Sequence, residues 1–406
     1  MFEINHNVVL VKGARNAAIY NFNDSKVYSI DSSAYSIIYK VLIENQVPDN
    51  DFENQYIESL KAAGLFSESF EPRNYVTERD YSVNLAFAWL ELTNNCNYKC
   101  LHCYEGVEHC SYDNELSLQD WKLILQQLYD VGCKKIQFTG GEPCLSLHLK
   151  ELLFFASNIG FDEITVFTNA SLLNDELIGI FHNLNIKVRF SLYGHRCEIH
   201  DAVTQRPGSF DKAIANVVKM IALEIDVYPA VIILKENEAY IKEIKSFIES
   251  LGLRYRGYDV IRPACYGDQS KHLPTIPAVK FSKYQLHAHF TASKELFDKA
   301  FTRNTCWYGK IAIDAIGNVY PCIFQRKTLY GNIKISSIRD ILASDELKQG
   351  WFADYSKVES CKDCEFRFAC KDCRALVIAS LDSFFGKNPR CTYNPYLGQW
   401  ENPLKK

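Results

Sequence analysis

Residues 85–103 read Leu85-Ala86-Phe87-Ala88-Trp89-Leu90-Glu91-Leu92-Thr93-Asn94-Asn95-Cys96-Asn97-Tyr98-Lys99-Cys100-Leu101-His102-Cys103. An apolar run, Leu85 to Leu92, has the length and bulk of a buried strand, and it ends in a polar loop carrying three cysteines. Three thiolates on a short loop can hold three irons of a 4Fe–4S cluster and leave the fourth iron open to a ligand. A zinc loop completed by a distant fourth ligand is the other chemistry this spacing allows.

Downstream of this loop, as far as about residue 262, apolar strands alternate with amphipathic helices. Strands are expected at 84–92, 135–139, 163–167, 187–191, 227–234 and 257–261, with helices between them such as Leu118 to Tyr129 and Tyr240 to Leu251. Repeated βα units imply a parallel sheet in an α/β fold, open or closed into a barrel, with chemistry at the C-terminal strand ends. Gly140-Gly141-Glu142-Pro143 follows the second of these strands, Thr168-Asn169-Ala170 the third and Ser191-Leu192-Tyr193-Gly194 the fourth. Two adjacent glycines let backbone approach a ligand closely, and Glu142 offers a carboxylate acceptor.

Upstream, residues 7–12, 17–22 and 26–30 alternate apolar and polar as strands do, and a helical pattern from Tyr35 to Leu42 and a second from Glu53 to Ala63 follow. This is a small strand-then-helix domain of winged-helix-like type. The polar segment Ser67 to Asp80, with Pro72, reads as a linker. Beyond about residue 300 long periodic segments are few, and metal ligation is expected to replace part of the hydrophobic core.

Cysteine usage fixes the class. There are 15 in 406 residues, an odd number, and no export signal precedes them. Cytosolic thiols stay reduced, so clustered cysteines point to metal or catalysis. Apart from the first loop, Cys306 and Cys322 flank Gly317, and then come Cys361-x2-Cys364-x5-Cys370-x2-Cys373 and Cys391. Seven thiolates suit two clusters better than one zinc. Lone Cys110, Cys133, Cys144 and Cys197 are read as small buried apolar residues. A net charge of -4 argues against a broad nucleic-acid surface. No run of apolar residues is long enough to span a bilayer, so no membrane partner is expected and the protein is read as cytoplasmic.

The Cys96/Cys100/Cys103 spacing resembles the signature of the radical S-adenosylmethionine (SAM) superfamily, with His102 in a position usually aromatic. The resemblance covers roughly 84–262 and implies a partial (β/α)6 TIM-like barrel. It further implies that the open iron binds the amino and carboxylate groups of SAM. Gly140, Gly141 and Glu142 then match the motif that receives the SAM amino group. Asn169 and Ser191 match ribose-contacting positions, with Tyr193 where many relatives have Asp, and Arg206 matches an arginine that meets the SAM carboxylate. The seven later cysteines resemble a SPASM domain with two auxiliary 4Fe–4S clusters, one held by Cys306, Cys322 and Cys373 and the other by Cys361, Cys364, Cys370 and Cys391. The final x2 spacing departs from the usual x3. The fourth position of the first auxiliary cluster is either open to substrate or filled by another residue such as Cys265.

The N-terminal segment resembles that of radical SAM/SPASM peptide maturases of the grasp-with-spasm group. That implies three domains: 1–80 for leader-peptide recognition, 81–300 for the barrel and 301–406 for the auxiliary clusters. The implied activity is reductive cleavage of SAM to a 5′-deoxyadenosyl radical. That radical would abstract hydrogen from a ribosomally synthesised precursor peptide and so install a thioether, ether or carbon–carbon crosslink. A flavodoxin- or ferredoxin-like reductant is implied with it. Two alternatives stand beside this one. The first is an anaerobic sulfatase-maturing enzyme, which the extra N-terminal domain disfavours. The second is a non-catalytic iron–sulfur carrier or zinc module, which has no use for a SAM cradle. The sequence identifies no catalytic acid or base.

Overall fold

The computed structural model describes residues 1–76, 80–104, 114–262, 270–276 and 290–401. They form two compact units. One comprises Met1–Ser82, Phe281–Cys306 and Trp351–Lys406, the other Val83–Lys280 and Trp307–Gly350. Both are discontinuous in sequence, and the later cysteines are divided between them. Cys265 and Cys110 lie outside the described residues.

The first unit is built on strands β1 (Phe2–Asn5), β2 (Val8–Lys12), β3 (Ala17–Asn21), β4 (Lys26–Ile30) and β5 (Arg73–Asn74), in the order β4-β3-β2-β1-β5. Adjacent strands are antiparallel. Period-two alternation divides β2 and β3 between two cores. Val8, Leu10, Ala17 and Ile19 pack with Ile38, Ile57 and Leu60. Val9, Val11, Ala18 and Tyr20 pack with Phe297, Phe366, Phe368 and Tyr393. Helix α1 (Ser32–Ile38) is capped by Asp31, which accepts from the Ala34 N–H, and α2 (Asp51–Ala62) by Asn50, which accepts from Glu53. The expected strands at 7–12, 17–22 and 26–30 are present within a residue or two, and β1 is an addition.

The second unit holds a nine-stranded sheet. Strands β6 (Phe87–Glu91), β7 (Lys135–Thr139), β8 (Glu163–Thr168), β9 (Lys187–Leu192), β10 (Val227–Ile233) and β11 (Asp259–Val260) run parallel in sequence order. Between them lie α3 (Leu118–Asp130), α4 (Leu149–Ile159), α5 (Asp175–Asn183), α6 (Cys197–Thr204), α7 (Ser209–Ala222) and α8 (Ile241–Ser250). This is the α/β fold of a partial (β/α)6 barrel. In α3, Trp121, Ile124, Leu125 and Leu128 form the buried stripe, and Ser117 with Asp120 closes a capping box. Pro229 is tolerated inside β10 because β11 pairs with that strand only at Ile232 and Ile233.

On the other side of β6 lies a strand the sequence pattern did not reveal. Strand β12 (Lys310–Ile313) pairs parallel to β6, Lys310 opposite Phe87 and Ile313 opposite Leu90. Strands β13 (Asn318–Tyr320) and β14 (Gly331–Asn332) continue the sheet antiparallel.

Candidate active site

The C-terminal strand ends of the second unit surround a cavity of about 520 Å³ whose lining includes Cys96, Cys100 and Cys103 together. The loop bearing them is held from several directions. Thr93 Oγ1–H and Asn94 N–H both donate to Glu115 Oε1 at 2.9 Å. Lys99 N–H donates to Thr204 O at 3.2 Å and Leu101 N–H to Val203 O at 3.0 Å, so the C-terminal turn of α6 docks on the residues flanking Cys100.

Burial pushes the Cys96 thiol up to about 12. Burial, with repulsion from Cys96 and Cys103, holds Cys100 well above the ordinary thiol range. Thiols that resist losing their protons, as burial makes Cys96 and Cys100 do, are stable as thiolates only around a positively charged group. The donor set therefore fits an iron–sulfur cluster.

The Gly140-Gly141-Glu142 turn lies directly against this loop. Gly141 N–H donates to Thr93 O and Glu142 N–H to Asn95 O, both at 2.8 Å. Gly140 has φ +128°, and a Cβ there would sit 2.4 Å from Thr93 O. A Cβ on Gly141 would sit 2.3 Å from Asn95 O. Both glycines line the cavity.

Glu142 is placed differently from the expectation that it meets a ligand with its carboxylate. The side chain is buried, and its oxygens accept from Thr168 Oγ1 at 2.6 Å, Asn169 N–H at 2.7 Å and Cys144 N–H at 3.1 Å. It pins the end of β7 to the end of β8. Asn237 does the same between β9 and β10, its amide donating to Tyr193 O at 2.8 Å and Ile232 O at 2.9 Å.

Asn169 and Ser191 line the cavity as expected. Asn169 Nδ2 donates to Asn97 Oδ1 at 2.7 Å, and Ser171 donates to Asn169 Oδ1 at 2.7 Å. Tyr193 is buried and lies close enough to all three thiols that their charges, after burial itself, help to raise its phenol well above the ordinary range. His102 packs edge-on to Tyr193 at 4.8 Å, and burial lowers its imidazole to about 4.

Arg206 is not brought to the site. It is exposed, in the loop between α6 and α7, and does not line the cavity. Within Glu198 to Phe210, the connection between α6 and α7 is instead a turn organised by Asp201, whose carboxylate accepts from Gly208 N–H, Ser209 O–H and Phe210 N–H. The guanidinium side chains that do line the cavity are those of Arg189, Arg256 and Arg262. Arg189 could have been found in the sequence, because it lies two residues before Ser191 on β9 and shares its face. Arg189 donates to Asp226 Oδ1 at 3.1 Å, and Arg262 to Asp259 Oδ2 at 3.1 Å.

In the first unit, Cys361, Cys364, Cys370 and Cys391 are gathered, and the burial of each raises its thiol. Mutual repulsion adds to burial in the first three. Cys306 lies in the same unit, near enough with Cys361 and Cys370 to act electrostatically on Arg374. Arg374 is buried, pairs with Asp372 and donates to Phe384 O at 2.6 Å and Gly386 O at 3.0 Å. Cys373 precedes it, capping helix Arg374–Leu381. Cys322 belongs to the second unit and is buried just after β13. Cys133 is buried, its thiol donating to Lys135 O at 3.4 Å, while Cys144 and Cys197 are half-buried. Among the described residues, no three His, Cys, Asp or Glu side chains converge on a single-ion position.

Comparison with known proteins agrees with this architecture. Residues 90–248 match the radical SAM superfamily, and residues 306–365 match the SPASM iron–sulfur cluster-binding domain. The chain therefore carries a radical SAM domain and a SPASM domain, and it is an enzyme of the radical SAM oxidoreductase type. It is 24% identical to the AdoMet-dependent heme synthase of Methanosarcina barkeri, over 76% of this chain and 96% of that protein. It is 27% identical to the antilisterial bacteriocin subtilosin biosynthesis protein AlbA of Bacillus subtilis, over 70% of this chain and 66% of that one. Its fold is shared with Streptococcus suis SuiB bound to the precursor peptide SuiA, with a TM-score of 0.58, 15% identity and coverage of 97% and 100% of the two chains. The two matched domains support 4Fe–4S clusters and SAM as cofactors. Among the described residues, no helix is long and apolar enough to cross a membrane.

Proposed function

We propose that this enzyme modifies a ribosomally synthesised precursor peptide, installing a thioether, ether or carbon–carbon crosslink. The observation that carries the reading is the N-terminal sheet. Its edge strand β4 pairs along its whole length with β3, while on its other side the described residues supply only one bridge, Lys26 to Thr291. Such an edge can accept an extended leader segment as a further strand. The similarity to a bacteriocin biosynthesis protein supports the same reading.

In this reading Cys96, Cys100 and Cys103 hold the cluster that binds SAM, and the bound pair supplies a 5′-deoxyadenosyl radical for hydrogen abstraction. Gly140 and Gly141 keep backbone close to the cofactor. Asn169 and Ser191 present polar groups to it, and Glu142 and Asn237 hold the strand ends in place. Cys361, Cys364, Cys370 and Cys391 hold one auxiliary cluster. The sequence resemblance assigns Cys306, Cys322 and Cys373 to a second, for three clusters in all. A flavodoxin- or ferredoxin-like protein delivers the electron.

The test is anaerobic incubation of the reconstituted, reduced protein with SAM and the peptide encoded by a short reading frame beside its gene. The expected result is 5′-deoxyadenosine together with a peptide lighter by two hydrogens, both absent from the C96A/C100A/C103A variant. Turnover of an iron porphyrin precursor in place of the peptide would favour the chemistry of the heme synthase relatives and overturn the proposal.

A further inference from the structure

Helix α6 buries one face, made of Ile199, His200, Val203 and Thr204. The last two of these accept the backbone N–H groups of Leu101 and Lys99, on either side of Cys100. His200 lies one turn earlier on the same face. It lines the cavity that Cys96, Cys100 and Cys103 also line, and only 1% of its surface is exposed. Gly194 permits this close seating, because a Cβ there would lie 2.8 Å from His200 N.

The ring is fixed in orientation. Tyr193 N–H donates to His200 Nδ1 at 3.3 Å, so Nδ1 is the acceptor and the proton of the neutral ring resides on Nε2. Burial lowers the imidazole to about 4, which keeps the ring neutral at physiological pH. Tyr193 and Phe210 pack on it at 5.4 Å and 5.7 Å. Nε2 itself is buried and makes no hydrogen bond among the described residues. A buried N–H donor without a partner costs about 1–3 kcal/mol, so such groups are seldom left unpaired in a finished site.

We propose that His200 donates a hydrogen bond from Nε2–H to a sulfur of the cluster held by Cys96, Cys100 and Cys103, and so sets how readily that cluster is reduced. The inference rests on the assignment of those three thiolates to the cluster. An N–H directed at a cluster sulfur stabilises the electron added on reduction and raises the potential. His200 is thereby a positioning residue for electron entry.

The test is an EPR-monitored redox titration of the anaerobically reconstituted full chain, carried out without SAM and repeated with it. Wild type is compared with H200F, H200M and H200Q at matched iron and sulfide content. The cluster in question is identified by the change in its signal when SAM is added afterwards. H200F and H200M, which lack the donor, are expected to shift the midpoint to more negative potential. H200Q, whose amide N–H reaches nearly the same place, is expected to stay near wild type. Two apolar variants are used so that one still reports if the other fails to load iron. Unchanged midpoints in the apolar variants, or a shift seen only with SAM present, would overturn the proposal. The second outcome would assign the donor to the cofactor. A wild-type protein with no SAM-responsive signal would remove the underlying cluster assignment as well, and is thereby distinguishable.

Discussion

The carboxylate of Glu142 accepts the backbone N–H of Asn169 at 2.7 Å, so the residue closing the glycine turn after β7 also holds the backbone that presents Asn169 to the cavity. Burial raises the Glu142 carboxyl above its ordinary value, and the hydrogen bonds from Asn169, Thr168 and Cys144 offset that only in part. The folded state therefore binds this proton more tightly than the unfolded chain. The stabilising contribution of the proton is complete below the unfolded value, near 4.5, and is lost as pH rises through the higher folded value.

E142Q removes this titration but replaces one acceptor oxygen with an N–H among donors, at a cost of about 1–3 kcal/mol. Urea unfolding at a series of pH values should show the variant less stable than wild type at weakly acidic pH. The gap should narrow toward neutral pH. A gap independent of pH would contradict the assignment.

Gly141 has backbone where a side chain would begin. G141A must displace Asn95, the residue before Cys96, and should weaken SAM binding about tenfold or more, equivalent to about 1.4 kcal/mol, and reduce iron loading. G179A, in α5, meets nothing within 4 Å. It should leave binding unchanged and raise stability by roughly 0.5–1 kcal/mol. Calorimetric SAM binding and iron analysis would separate the two.

Arg326 and Glu91 form a bidentate pair, with Nη2 donating at 2.8 and 2.6 Å to a carboxylate that is 0% exposed at the end of β6. R326M strands a buried charge and should cost about 3–5 kcal/mol. The double variant E91L/R326M should recover much of that loss in thermal unfolding, because matched apolar replacement of a buried pair is often neutral.

Because Arg206 is exposed and outside the cavity lining, R206A should alter SAM affinity by no more than about twofold, roughly 0.4 kcal/mol. N169A removes a group that lines the cavity and should lose about tenfold or more by the same assay. Equal losses in both would restore Arg206 to the site.

The parts of this architecture legible in the sequence were those written in local pattern. The six parallel strands and the helices Leu118–Asp130 and Ile241–Ser250 follow from periodicity. The cysteine loop and the glycine turn follow from residue types that few other roles require. What escaped was set by tertiary partners. Lys310–Ile313 is too short and too ordinary a segment to show that it pairs with β6. The inward turn of Glu142 depends on donors 26 and 27 residues away. Arg206 carries the right charge in the right stretch, but Asp201 organises that turn so that the guanidinium is left in solvent. Nothing in the sequence singles out His200, whose proton position follows from the acceptor role of Nδ1.

The pairing of Lys310–Ile313 with Phe87–Leu90 bears on how this protein can be cut and recombined. A fragment ending near residue 300 would bare the amide and carbonyl groups along one side of the first barrel strand, a ready template for sticking to other chains. Any chimera that exchanges the cysteine-rich tail between relatives must carry this short strand with the barrel. The junction that respects the sheet lies after Gly350, where the second unit ends.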